Sequence, residues 1–103
     1  MYNAAMKIIA ILKALSNEHR LKIFMWLSEP KKNFKSVHCD VEKEGVCVGL
    51  IEEKIGLSQS TVSQYLSLLQ QAELISMERK GQWTFCKRND NTIQHLIKEL
   101  GEI

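Results

Sequence analysis

Apolar residues recur every three or four positions along five stretches of the chain, the spacing of amphipathic helices. The predicted helices cover about residues 3–15, 18–27, 47–55, 59–72 and 91–102. Between the second and third helices the chain is rich in charge and shows no sustained periodicity. Residues 31–46 are therefore predicted to form a long loop.

Short polar residues and a proline set the predicted ends of the second helix. Ser16 or Asn17 precedes it, and either side chain can accept a hydrogen bond from a free N–H group of the first turn. Pro30 follows the helix and is expected to stop it. Four side chains of this helix are predicted to face the core: Leu21, Phe24, Met25 and Leu27.

A tight turn separates the third and fourth predicted helices. Gly56 ends the third helix, because glycine readily adopts the left-handed conformation that closes a helix. Ser58 then begins the fourth helix by accepting a hydrogen bond from the N–H of Ser60 or Thr61. Two helices joined by so short a turn are typical of a helix-turn-helix motif.

The apolar period changes after Ala72, where "LISMER" and "WTFCKR" flank "KGQ". Two short strand-like runs around a glycine turn predict a β-hairpin over about residues 74–88. The fold class is therefore mainly α with some β structure (α+β): one winged helix-turn-helix domain over residues 1–103. It is expected to have about five helices and a two-stranded wing.

The fourth helix has an outward face without charge. Its buried side is predicted to carry Val62, Leu66 and Leu69. The opposite side carries only serine and glutamine: Ser60, Ser63, Gln64, Ser67 and Gln71. Carboxylates would be repelled by the phosphates that line a DNA groove. Hydroxyls bind phosphates or base edges, and Gln can bind adenine through two hydrogen bonds, so this face predicts a groove-reading helix.

Two further features favour contact with a nucleic-acid backbone. The free N–H groups near Ser58, Gln59 and Ser60 lie at the positive end of the helix dipole and would favour a phosphate. Arg79 and Lys80 lie at the tip of the predicted hairpin, where a wing touches backbone or minor groove. In this order along the chain, the features predict binding to double-stranded DNA.

Composition sets limits on these interpretations. The chain is 45% hydrophobic and 25% charged, which indicates neither general disorder nor a membrane span. A formal charge of +2 is too small to predict a polyanionic partner without the distribution described above. Three cysteines are an odd number, and no export signal is evident, so we expect a cytoplasmic protein with free thiols.

Three segments together resemble the ArsR/SmtB family of bacterial winged-helix repressors: "LKALSNEHRLKIFMWL", "CVGLIEEKIGLSQSTVSQYLSLLQQAELI" and "MERKGQWTFCKR". The resemblance covers about residues 4–100. It implies a cytoplasmic homodimer that blocks a promoter until a small inducer, often a metal ion, releases it. It also implies DNA contacts from nine positions: Ser58, Gln59, Ser60, Thr61, Ser63, Gln64, Arg79, Lys80 and Gln82.

The residues also give a reason for dimerisation. The first and last helices, about residues 3–15 and 91–102, each carry an apolar stripe that so small a core does not fully cover. Pairing them across a two-fold axis would place two recognition helices about one DNA turn apart. This arrangement predicts an inverted-repeat operator.

A metal ion is one candidate inducer, and zinc or a thiophilic metal is the possible cofactor. Arsenic and cadmium sensors of the family use Cys-Val-Cys at the start of the helix before the recognition helix. Here "CVG" keeps Cys47 but has Gly49 at the second position. His38 and Cys39, with Asp40, could supply ligands from the loop.

Two other sites bear on the sensed signal. The family's metal site on the last helix is matched only in part, because Thr92 follows Asp90 where a ligand is expected and His95 is the only histidine of that helix. A reversible disulfide between Cys39 and Cys47 is a second mechanism, since a helix N-terminus favours the reactive thiolate at Cys47. Cys86 is expected to be a packed residue. An organic ligand, or no inducer, remains open.

Two other functional classes fit the sequence less well. A winged-helix protein-interaction module without an operator would need neither an uncharged outward face nor a basic wing tip. An enzyme is not expected, since His19, His38 and His95 lie in unrelated contexts and no glycine-rich phosphate loop is present.

Overall fold

This computed structural model describes residues 4–36 and 40–103 of the chain. Six helices and three strands lie within these residues. The elements are α1 Ala4–Leu15, α2 Glu18–Trp26, α3 Pro30–Asn33, β1 Val46–Cys47, α4 Val48–Ile55, α5 Gln59–Gln71, β2 Ile75–Lys80, β3 Trp83–Arg88 and α6 Asp90–Gly101. This order confirms the winged helix-turn-helix layout. Within the described ranges, none of the helices could cross a membrane.

The core forms where α5 crosses α2 and α4. Val62, Leu66 and Leu69 of α5 are at most 1% exposed, as their spacing predicts. Fully buried Ile23 of α2 and Ile51 of α4 belong to the same cluster. Burying a side chain of this size contributes about 1.5–3 kcal/mol. The stripe therefore fixes which side of α5 faces solvent.

The prediction for α2 was right for two side chains and wrong for two. Phe24 and Leu27 are buried, whereas Leu21 is 41% and Met25 58% exposed. A helix turns by about 100° per residue, so Ile23, Phe24 and Leu27 fall on one side. Leu21 and Met25 then fall on the other side.

Asn17, rather than Ser16, begins α2. Its side-chain oxygen accepts hydrogen bonds from the N–H groups of His19 at 2.9 Å and Arg20 at 3.1 Å. Ser16 instead donates its hydroxyl to the carbonyl of Lys13, at the end of α1. The two short polar residues thus close one helix and open the next.

The loop predicted over residues 31–46 contains two short elements. Pro30 begins α3, because a proline at the first position of a helix gives up no hydrogen bond there. At the other end, Val46 and Cys47 form β1 and pair with Cys86 and Phe85 of β3. The wing is accordingly the outer part of a three-stranded antiparallel sheet in the order β1-β3-β2. A strand of two residues is too short to leave a period in the sequence.

The turn after α5 ties the recognition helix to both ends of the chain. Glu73 has φ 60°, a left-handed conformation in which glycine is usual, and Leu74 donates its N–H to the carbonyl of Leu69 at 3.0 Å. The Glu73 carbonyl accepts the hydroxyl of Thr92 from α6 at 2.6 Å. The Glu73 carboxylate lies 3.3 Å from Nζ of Lys7 on α1. We call this segment, residues 72–74, the Glu73 turn.

We expect Thr92→Val to lower the free energy of unfolding by about 0.5–1.5 kcal/mol, because the hydrogen bond from the Thr92 hydroxyl to the Glu73 carbonyl would be lost. Urea denaturation at fixed protein concentration measures this. Thr92→Ser retains the hydroxyl and is the matched control. If valine were tolerated as well as serine, the bond would not stabilise the fold.

Candidate nucleic-acid interface

The outward face of α5 is open to solvent along its length. The predicted row is exposed at every position: Ser60, Ser63, Gln64, Ser67 and Gln71. Gln59, which precedes this row, is exposed as well. From Leu57 to Gln71 no residue carries a formal charge. The face therefore offers only neutral hydrogen-bonding groups.

The N-terminus of α5 is held by a local hydroxyl network. Ser58 accepts the N–H of Thr61 at 3.3 Å, which confirms the predicted cap. Its hydroxyl also donates to Oγ1 of Thr61 at 2.8 Å and lies 3.4 Å from Oγ of Ser60. Ser58 and Thr61 are thus engaged with each other. These bonds stabilise the helix end.

The middle of the row has unoccupied side chains. Within residues 4–36 and 40–103, the side chains of Ser63 and Gln64 make no hydrogen bond. Further along, Nε2 of Gln71 donates to Oγ of Ser67 at 3.3 Å. Ser63 and Gln64 are consequently the groups most available to a ligand that approaches α5.

The wing presents its cations beside a tight turn. Gly81, with φ 62°, and Gln82 join β2 to β3 between the paired residues Lys80 and Trp83. Arg79 donates Nε to the carbonyl of Gly81 at 3.2 Å, so its guanidinium is directed toward the tip. Nζ of Lys80 lies 5.6 Å from the centre of the Phe85 ring. All of these residues except Phe85 are exposed.

Two residues of α2 that sequence reasoning missed position α5. His19 stacks on Tyr65 with ring centres 6.2 Å apart, and the Arg20 guanidinium lies 5.5 Å from the same ring. Arg20 also donates Nε to the carbonyl of Ala14 at 2.7 Å, at the end of α1. No sequence motif marks this contact between α2 and α5.

Comparison with known proteins assigns the chain to a family. The sequence profile described as "Bacterial regulatory protein, arsR family" matches residues 41–77. YbzH of Bacillus subtilis strain 168, described as an uncharacterized HTH-type transcriptional regulator, is 46% identical over 96 residues, 92% of this chain and 96% of that protein. This chain belongs to the ArsR family. It is therefore a DNA-binding transcriptional regulator.

Two further relatives support the ArsR assignment. The arsenical resistance operon repressor of Bacillus subtilis strain 168 is 31% identical over 87 residues, 84% of this chain and 70% of that protein. The structure of HlyU from Vibrio cholerae N16961 is similar with a TM-score of 0.68 at 26% identity, covering 99% of this chain and 96% of that one. Nothing in these similarities favours an interaction module without DNA.

The structure describes only part of the residues considered for sensing in this ArsR protein. His38 and Cys39 lie outside the described residues. Cys47 caps α4, is half-buried and makes no side-chain capping bond. Asp40 accepts the N–H groups of Lys43 at 3.3 Å and Glu42 at 3.0 Å, and these bonds, chiefly the one from Lys43, lower the pKa of its carboxyl. Among the described residues, no three potential ligands come together as a metal site.

The three residues of α6 that were compared with the family's metal site differ in their contacts. Asp90 pairs with Arg88, its Oδ1 lying 3.0 Å from the guanidinium Nε as an ion pair rather than an aligned hydrogen bond. Thr92 is buried, and its hydroxyl donates a hydrogen bond to the Glu73 carbonyl. His95 is exposed. Asp90 and Thr92 thus link the start of α6 to β3 and to the Glu73 turn, whereas His95 is open to solvent.

Cys86 is a packed residue, as predicted. It is 0% exposed, and burial raises the pKa of its thiol to about 12. It pairs with Val46 of β1 and Met77 of β2 and belongs to the buried core cluster, so its thiol is not a group of the wing surface.

In a Cys39→Ser background, we expect Ellman's reagent to modify one thiol of the native protein, Cys47, and two after unfolding in guanidinium. The half-buried Cys47 is accessible, whereas Cys86 is enclosed and its high pKa disfavours the thiolate. Adding Cys47→Ser should abolish the native reaction. Rapid native modification of Cys86 would contradict the packing described here.

Proposed function

We propose that this protein is a dimeric repressor that occludes a promoter by binding an inverted-repeat operator. The single observation that supports this proposal is the exposed, carboxylate-free face of α5. In the proposed complex Ser60, Ser63 and Gln64 meet base edges in the major groove. Arg79 and Lys80 hold the sugar–phosphate backbone.

The groups on α5 divide into two roles. Ser58 and Thr61 satisfy each other, so they fix the helix end and leave the N–H groups near Gln59 and Ser60 to a phosphate. Ser63 and Gln64 have side chains that no described residue occupies. Recognition of bases is therefore assigned to the second turn of the helix rather than to its cap.

The wing suits contact with the backbone. Arg79 uses Nε to brace the turn, and its other guanidinium N–H groups remain for a phosphate. Lys80 and Gln82 lie beside it on the same hairpin tip and are exposed. Such contacts fix the position of the protein on DNA but do not read sequence.

Exposed apolar side chains on α1 and α6 support the dimer. Ile9 and Leu12 of α1 are 52% and 45% exposed, and Ile97 and Leu100 of α6 are 63% and 37% exposed. Each helix also has a buried apolar residue in the core, Ile11 in α1 and Leu96 in α6. Each helix therefore has an apolar side toward the core and another toward solvent. Burial of the outer sides against a second copy would remove this surface from water. Since the proposed target is chromosomal, we place the dimer in the cytoplasm.

The proposal includes an inducer that releases the operator. The inducing signal has three candidate forms. The first is a metal ion held by His38, Cys39 and Cys47, the second is a disulfide between Cys39 and Cys47, and the third is a small organic ligand. The test is a mobility-shift assay on the DNA upstream of its own gene, run reduced, oxidised and with a panel of metals. A complex that no condition releases would exclude the first two forms.

We expect Gln64→Ala to weaken operator binding by about 5- to 150-fold while binding to random duplex is unchanged, because one bidentate base contact discriminates by about 1–3 kcal/mol. Fluorescence anisotropy with both duplexes measures this. Gln70→Ala changes the same residue type on the same helix outside the proposed contacts and should have little effect.

Lys80→Gln should weaken operator and random duplex equally and reduce the slope of log affinity against log salt by about 0.9, because one phosphate contact is lost. Lys43→Gln, an exposed lysine of the 40–44 turn, is the control. If neither Gln64 nor Lys80 affected binding, the two assigned surfaces would be wrong. A binding affinity that did not respond to salt would support the interaction module instead.

The dimer predicts that Ile97→Glu yields single chains in analytical ultracentrifugation at concentrations where the unmodified protein sediments as a pair. A carboxylate at this position would be buried without a partner in the interface. His95→Glu adds the same group to the other side of α6 and should preserve the pair. Circular dichroism checks that both variants are folded; a folded Ile97→Glu dimer would contradict the proposed interface.

A further inference from the structure

A cleft of about 480 Å³ lies between the wing and the first turns of α4. Its volume falls in the range of about 300–1,000 Å³ that is typical of small-molecule sites. Residues of β1, α4, β2 and β3 and of the chain before β1 line it, and none of the base-reading residues of α5 does. The cleft is therefore separate from the DNA-reading face.

Two aromatic rings and a leucine give the cleft apolar walls. Trp83 and Phe85 are alternate residues of β3, so their side chains leave the same face of the sheet. Phe85 is buried, whereas Trp83 is 51% exposed, which is unusual for the largest apolar side chain of the chain. Leu50 of α4 forms the facing wall. An exposed indole on the edge of an apolar cleft is a surface that a ligand can cover.

The floor of the cleft is open because α4 has no side chain at Gly49. A Cβ atom there would meet only Sγ of Cys47, at 3.9 Å. Glycine at this position therefore leaves open space beside the Cys47 thiol.

The charges around the cleft favour a cation. Glu44 and Glu53 both line it, and neither forms an ion pair with a described residue. Glu44 accepts a long hydrogen bond, 3.4 Å, from the N–H of Asp40. Among the described residues that line the cleft, Lys80 alone carries an ammonium, and it lies 5.6 Å from the centre of the Phe85 ring. Two carboxylates against one ammonium leave an excess of negative charge beside the faces of the aromatic rings, which also attract cations.

We propose that this cleft binds a small organic cation with an apolar body. The body packs on Trp83, Phe85 and Leu50, and Glu44 and Glu53 balance the charge. Binding does not depend on the proposed repressor function, but its consequence does. The cleft joins α4, which braces α5, to Lys80 of the wing, so occupancy changes operator affinity by moving one relative to the other.

The test compares tetraphenylphosphonium with tetraphenylborate, which have nearly the same shape and opposite charge. Isothermal titration calorimetry with the full chain should detect saturable binding of the phosphonium and at least about tenfold weaker binding of the borate. Trp83→Ala should weaken phosphonium binding by about 2- to 30-fold, the range of a cation–π contact. Glu53→Gln should weaken it by a similar factor, and Glu52→Gln, the neighbouring carboxylate outside the cleft, should not.

Three results would overturn the inference: no phosphonium binding, equal binding of the two ions, or full binding by both Trp83→Ala and Glu53→Gln. A mobility-shift assay with and without the phosphonium separates this inference from the repressor function. Cation binding without operator binding would refute the repressor and leave the cleft assignment intact. Operator binding without cation binding would refute the cleft alone. A bound cation that left operator affinity unchanged would refute the regulatory consequence.

Discussion

Burial of one side of α5 is the constraint on which the arrangement of the DNA-reading surface depends. Val62, Leu66 and Leu69 fill the centre of the core, so α5 cannot rotate about its axis without exposing them. The polar row opposite them is consequently held outward. The Tyr65 contacts with His19 and Arg20 add a lateral restraint from α2. A solvent-facing row without carboxylates is thus a result of packing as well as of composition.

The sequence was sufficient for the long elements and for the face of α5, because helical periodicity and the cap at Ser58 are local signals. It was insufficient for β1 and α3, which are too short to show a period. The prediction that Leu21 and Met25 face the core was also wrong, because the buried side of α2 is centred on Ile23, Phe24 and Leu27. The Glu73 turn and the cleft beside Trp83 depend on contacts between residues far apart in the chain, which one sequence does not reveal.

The start of α4 shows how a family site can change its chemistry while keeping its place. Cys47 remains at the helix N-terminus, but Gly49 leaves it without a second thiolate. On α6, Thr92 stands where the family's metal site has a ligand, and its hydroxyl instead donates a hydrogen bond to the Glu73 carbonyl. Among the described residues, neither position belongs to a cluster of three potential metal ligands. The proposed organic ligand needs no such cluster.

The Glu73 turn has a mechanical consequence for a two-fold assembly on DNA. A non-glycine residue in the left-handed region costs about 1–2 kcal/mol, so the contacts with Lys7 and Thr92 must offset a standing penalty. At this turn the end of α5 is linked to α1 and α6, the two helices proposed to form the dimer interface. An operator with one extra base pair would hold its half-sites about 3.4 Å farther apart along the duplex. We expect the stiffness of the Glu73 turn to limit how well the dimer binds such an operator.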